Sequence, residues 1–186
     1  LSSTVRAGFR VPGEHLIDPW SAAHGYLLQA LANGAVLRRR AEVLSGRHDG
    51  SVWHLATPAG AISAKLVINA AGLWGDEVDR RVTGQSWFTI RPRKGQFVVY
   101  DKTAAALAGH ILLPVPTKIT KGIVVCRTAF GNLLVGPTAE EQEDRDHAAV
   151  DRATLQALMR RGCEILPALA DHEVTAVYAG LRPATD

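Results

Sequence analysis

Cationic side chains gather at two places where they could hold an anion. Arg182 sits in Gly180-Leu-Arg-Pro183, and Arg91, Arg93 and Lys94 crowd one short stretch. A guanidinium offers a planar fork that grips a carboxylate or phosphate at two oxygens, whereas an ammonium acts as a point charge. Pro183 fixes its own φ, which predicts a stiffened turn carrying Arg182. Three cations close together raise the local potential for an anion. Strand alternation puts Arg91 and Arg93 on one face and Lys94 on the other. Lys121 is a weaker candidate, since an exposed turn explains it equally well.

A second kind of chemistry needs small residues instead of charged ones. Lys65-Leu-Val-Ile-Asn-Ala-Ala-Gly-Leu-Trp74 reads as a buried strand over Leu66 to Asn69 that ends in the bend Ala70-Ala71-Gly72. With no bulky side chain at the bend, a ligand can approach the backbone. Gly75 to Val82 has helical spacing, so the bend lies where a strand hands over to a helix. In open α/β sheets that is where nucleotide cofactors lie. An ordinary strand-turn-helix without a ligand reads the same way.

No proton-transfer group stands out, and the catalytic residue stays unassigned. His24 lies on the predicted helix with neither a carboxylate nor a motif nearby, His15 and His110 adjoin strand or loop segments, and a lone histidine is more often structural. Asp18 is explained as a helix cap. Cys126 and Cys163 fit no metal or redox spacing, so no metal site is expected. They read as reduced thiols in the core of a cytosolic protein.

The bulk properties bound the choices. A chain of 186 residues can build one good core or two small ones. Its 47% hydrophobic and 21% charged content is ordinary for a soluble globular protein. No apolar run is long enough to span a bilayer, and no signal peptide is visible. The net charge is only +3. The single dense basic run, Arg38-Arg39-Arg40, lacks the interleaved aromatics of a nucleic-acid surface, so nucleic acid is not an expected partner. The chain opens on Leu1 and stops at Thr185-Asp186, directly after a motif-like stretch, as a piece cut from a longer protein would.

The elements that must position these residues follow from local signals. Val5 to Leu16 reads as extended, with a turn at Pro12-Gly13. Asp18 as N-cap and Pro19 at the first position start a helix. Trp20, Ala23, Leu27 and Leu31 mark its apolar stripe, and Asn33-Gly34 stops it. Strands are predicted over Ala35–Leu44, Val52–Thr57 and Ala61–Asn69, as a parallel strand, an antiparallel excursion and a return to the buried sheet. After Gly84 the pattern becomes antiparallel: Thr89–Tyr100, His110–Val115, Gly122–Arg127 and Asn132–Gly136. Asp144–His147 is a charged loop, Val150–Ile165 a helix, and Glu173–Ala179 a last strand.

Six segments, in order, carry a family resemblance: VPGEHLIDPWSAAHGYLLQALANGAVL, KLVINAAGLWGDEV, IRPRKGQFVVYDK, PTKITKGIVV, GNLLVGPTAEE and YAGLRPATD. Together they resemble the FAD-dependent oxidoreductases of the D-amino-acid oxidase superfamily. Within it they are most similar to glycerol-3-phosphate dehydrogenases of the anaerobic bacterial type and to L-2-hydroxyglutarate oxidases. The resemblance implies a mixed α/β fold, in which part of a doubly wound FAD-binding domain is interleaved with an antiparallel-sheet substrate domain. Residues 17–84 and 176–186 would belong to the first, and 1–16 and 85–175 to the second. It implies Val43, Ala70, Ala71, Gly72 and Gly180 near the FAD, and Arg182 and Lys94 on a small anionic 2-hydroxy substrate, glycerol 3-phosphate before L-2-hydroxyglutarate. The electron acceptor, whether quinone, protein or oxygen, is not readable. The implied location is the cytoplasm, compatible with peripheral attachment at the inner membrane face. The family's N-terminal glycine fingerprint is not in this sequence, and neither is the segment that follows the arginine. This departure keeps open a non-catalytic anion-binding or interaction domain. An amine or amino-acid oxidase of the same superfamily also stays open.

Overall fold

A computed structural model describes residues 1–115 and 122–185; the whole PTKITK stretch, Lys121 included, lies outside them. Helix α1, Pro19–Ala32, begins as expected. The Asp18 carboxylate accepts from the amides of Trp20 and Ser21, both at 3.2 Å, and from the Ser21 hydroxyl. The expected apolar stripe is present, but no residue of the helix is buried, and Trp20 is 75% exposed.

The antiparallel excursion is a three-stranded sheet in the order β1 (Ser45–His48), β2 (Trp53–Ala56), β3 (Ile62–Ala64). Ser45 pairs with Ala56 and Trp53 with Ala64. The flanking expectations need correction. Residues 35–44 and 65–71 form no ladder. A parallel strand is stable when neighbours cover both faces, and none of the described residues does so here: Leu66 is 73% and Ile68 80% exposed. The fold is mixed α/β, and among the described residues 35–44 and 65–71 add no strand to a sheet. Helix α2, Gly75–Thr83, follows the bend as predicted.

The second sheet runs β5 (Val124–Arg127), β6 (Leu133–Gly136), β4 (Ile90–Tyr100), β7 (Glu140–Glu141), with β8 (Val174–Thr185) also pairing β4. Both β4–β6 and β5–β6 are antiparallel. His110–Val115 contributes a single bridge, Leu112 to Val125, instead of a strand. Helix α3, Arg152–Ile165, is capped by Asp151, whose carboxylate accepts from the Thr154 amide at 2.7 Å. The last strand is longer than expected. It continues through Gly180-Leu-Arg-Pro183, so Arg182 lies on a strand and not on a turn.

Two compact units emerge. One comprises Leu1–His24, Lys94–Glu140 and Asp146–Gly180; the other comprises Gly25–Arg93, Glu141–Arg145 and Leu181–Asp186. The core of the first joins Val98 and Tyr100 of β4, Val125, Leu133 and Val135 of the neighbouring strands, and Leu158 of α3. Burial pushes the Tyr100 phenol up to about 12, with the nearby Cys163 adding to it. Cys126 is buried and Cys163 half-buried, and both are free thiols. The buried side chains of the second unit include Leu55, Val82 and Ile90, and the carboxylate of Asp76 is buried there too.

Candidate functional site

The bend is built by Asn69. Its side-chain nitrogen donates to the Gly75 carbonyl at 2.7 Å, and its side-chain oxygen accepts from the Ala71 amide at 3.2 Å. One amide side chain thus spans the turn and fixes both limbs. Gly72 takes φ +57°, a left-handed conformation that disfavours side chains with a Cβ, and opens a single 3-10 turn to Trp74.

A cavity of about 590 Å³ lies against this bend, a size usual for small-molecule sites, which run from roughly 300 to 1,000 Å³. One wall is the stretch Val67 to Ala71 with Trp74; the other is Val78, Arg81 and Val82 of α2; Glu42, Val43 and Leu55 close it. Arg81 ties the walls together. Its guanidinium donates to the Glu42 carboxylate at 2.6 Å and to the Val43 carbonyl at 3.1 Å. Most of the lining is apolar, and polar groups are confined to Glu42, Arg81, Asn69 and Glu77. That combination fits a nucleotide such as FAD. Flat rings need apolar walls and close backbone, and a few placed polar groups orient the sugar and ring edges. A Cβ added at Gly72 meets nothing within 4 Å, so the approach to the bend is open.

Behind the bend lies a buried ion pair. Arg145 donates to Asp76 through both terminal nitrogens, at 2.6 and 2.9 Å. The same nitrogens reach the carbonyls of Leu73 at 2.8 Å and Ile90 at 2.9 Å. The guanidinium carbon stands 5.6 Å from the centre of the Trp74 ring, within reach of a cation–π attraction. The Asp76 carboxylate also accepts from the amides of Ile90 and Glu77. Its side chain is only 2% exposed. The Arg145 guanidinium, assisted by the Ile90 amide, holds the carboxyl well below the usual carboxylate range despite the opposing effect of burial. Arg145 is correspondingly pushed up by Asp76.

The residues singled out from sequence are distributed unevenly. Val43, Ala70 and Ala71 line the cavity, and Gly72 follows directly in the bend. Arg182 belongs to the same unit but is exposed on β8 and is not among the lining residues. Lys94 and Gly180 belong to the other unit. Lys94 is largely covered and pairs with Glu140 at 3.2 Å, and Arg93 pairs with Glu141 at 2.7 Å. His24 is exposed and stacks on Trp20. Sequence reasoning missed Arg81, Glu42 and Arg145. The only signal for Arg145 was an acidic residue in the first turn of α2 that, once buried, would require a cation.

Three comparisons bear on identity. The profile of the DAO family, described as FAD dependent oxidoreductase, matches residues 1–186. A glycerol 3-phosphate dehydrogenase of Caloramator mitchellensis is 28% identical over 189 aligned residues, covering 100% of this chain and 38% of the dehydrogenase. A glycine oxidase of Pseudomonas aeruginosa is 33% identical over 159 residues, covering 85% of this chain and 40% of the oxidase. Among solved structures, dithionite-reduced L-α-glycerophosphate oxidase from Mycoplasma pneumoniae with FAD bound superposes with a TM-score of 0.79 at 25% identity, covering 91% of this chain and 45% of that one. The chain thus spans less than half the length of the relatives it matches. Its fold, its bend and its full-length profile match make it a member of the DAO family of FAD dependent oxidoreductases.

Proposed function

We propose that this stretch serves a flavoenzyme oxidising a small anionic 2-hydroxy compound, glycerol 3-phosphate first and L-2-hydroxyglutarate second. The observation that carries the reading is the cavity walled by Asn69, Ala70, Ala71 and Trp74 on one side and α2 on the other. Residues 17–84 with 176–186 belong to the FAD-binding domain, and 1–16 with 85–175 to the substrate-binding domain. Val43, Ala70, Ala71 and Gly72 offer close backbone to the nucleotide, and Gly180 does so from β8. When bound, FAD supplies a hydride acceptor.

The chain's own residues do the rest. Arg182, exposed on its strand, grips the substrate anion through its two-pronged guanidinium. Lys94 adds positive potential, tempered by its pairing with Glu140. Holding the anion at a distance from the reacting carbon orients the C–H and replaces a bimolecular encounter with a positioned one. Among the described residues no helix is long and apolar enough to cross a membrane. We place the protein in the cytoplasm, with peripheral attachment at the inner membrane face as the alternative. Its electrons pass to a quinone, another protein or oxygen.

A second reading has a specific observation in its favour. The glycine oxidase match supports an amine or amino-acid substrate on the same cavity. One experiment separates the readings. The complete gene product is purified, its visible spectrum is recorded, and glycerol 3-phosphate, L-2-hydroxyglutarate and glycine are added in turn without oxygen. Bleaching of the flavin bands by glycerol 3-phosphate is expected. Bleaching by glycine alone would favour the amine reading. A colourless product that also fails to take up added FAD would leave a non-catalytic anion-binding domain.

A further inference from the structure

The terminal nitrogens of Arg145 make four hydrogen bonds, two to the Asp76 carboxylate and one each to the carbonyls of Leu73 and Ile90. Neither Arg145 nor Asp76 lines the cavity against the bend. Leu73 and Trp74, however, form the short turn between Gly72 and α2, and Trp74 lines that cavity. The guanidinium pulls on the turn at two points, the Leu73 carbonyl and the Trp74 ring face. Asn69 holds the same turn from its other end through the Gly75 carbonyl. The turn is therefore clamped between an amide and a fork. A lysine could replace the charge of Arg145 but not its planar, four-point geometry.

We propose that Arg145 is a positioning residue for cofactor uptake, acting through Leu73 and Trp74 to set the shape of the cavity. The proposal rests on the reading that this cavity takes FAD. Arg145 touches no part of the cofactor. It fixes the height of the turn and the tilt of the indole, so that the nucleotide meets a finished wall and need not order one on binding. Asp76 is its anchor. Without the guanidinium, this buried carboxylate keeps only its two backbone donors.

The test uses the complete gene product, stripped of flavin and titrated with FAD while flavin fluorescence is followed. Four proteins are compared: wild type, Arg145→Lys, Asp76→Asn and Trp74→Ala, together with the double variant of Arg145→Lys and Trp74→Ala. The control is Arg161→Met, whose residue is largely exposed and pairs with Glu164 three residues on. Arg145→Lys is expected to raise the FAD dissociation constant by about tenfold or more, the size set by losing charge-assisted hydrogen bonds. Asp76→Asn should shift it in the same direction and stands in if the lysine variant does not fold. Substrate KM at saturating FAD should stay near wild type in both. Because Arg145 acts partly through Trp74, the double variant should bind FAD less weakly than the two single effects combined would give. Unchanged FAD affinity in folded Arg145→Lys, with only a lower melting temperature, would overturn the positioning role. Fully additive effects in the double variant would overturn the route through Trp74. If wild type itself takes up no FAD, the cofactor reading fails first and this one with it.

Discussion

The side-chain nitrogen of Asn69 lies 2.7 Å from the carbonyl oxygen of Gly75, and this one bond closes the loop that joins the apolar 66–69 segment to α2. Asn69→Ala removes it, along with the acceptor for the Ala71 amide. A cost of about 1–2 kcal/mol is expected for such a partly buried pair, read as a lower urea midpoint. Asn69→Asp should cost more than Asn69→Ala, because it sets a carboxylate against the Gly75 carbonyl. Equal midpoints for all three proteins would remove Asn69 from the account of the bend.

Ala70 and Ala71 are small where the cavity needs room. Ala70 is exposed, so Ala70→Leu fits without disturbing the core and fills the space against the bend instead. The expected result is a thermal melt within about 0.5 kcal/mol of wild type, as for surface changes generally, together with a loss of FAD uptake. Full flavin loading in this variant would show that the cofactor lies elsewhere.

The Asp76 carboxyl releases its proton more readily in the folded protein than in the unfolded chain, because the Arg145 guanidinium favours the charged form. The unfolded chain therefore binds more protons between the ordinary value of 3.8 and the depressed folded value. Stability from this pair is complete above that window and is lost as pH falls through it. Urea midpoints measured from pH 7 downwards should drop more steeply below pH 4 in wild type than in Asp76→Asn. Parallel curves would contradict the linkage.

Gly46 of β1 lies directly under α2. A Cβ there would stand 2.9 Å from Val82 Cγ1, 3.0 Å from Val82 Cα and 3.1 Å from Leu55 Cδ2. The middle contact is backbone, which cannot swing aside. Gly46→Ala is expected to destabilise by about 1–3 kcal/mol through overpacking and to loosen the cavity that Val82 and Leu55 help line. Calorimetry with and without FAD measures both effects. An unshifted transition would mean that the helix and strand separate more easily than this spacing allows.

What could be read from the sequence was what short-range chemistry decides. Asp18-Pro19 marks the start of α1, and the turns at Arg47-His-Asp-Gly50 and Pro58-Ala-Gly60 delimit an antiparallel excursion. Each signal is complete within a few residues. The bend at 69–72 was legible for the same reason. Three things were not. The 35–44 and 65–71 segments have strand composition, but pairing depends on neighbours that composition cannot supply. Gly180 and Pro183 are local turn signals, yet pairing of β8 with β4 carries the chain straight through them. Asp76 and Arg145 are 69 residues apart, and no local rule links a helix-start acid to one arginine in a charged loop. In the last two cases the deciding partner was distant along the chain.

The uncovered apolar side chains of α1 and of the 66–68 segment have a practical consequence. Trp20, Tyr26, Leu28, Leu66 and Ile68 all face solvent, and such greasy surface drives indiscriminate self-association. Produced by itself, this stretch should enter inclusion bodies or stay bound to chaperones, and detergents or a solubility-enhancing fusion would be needed to keep it in solution.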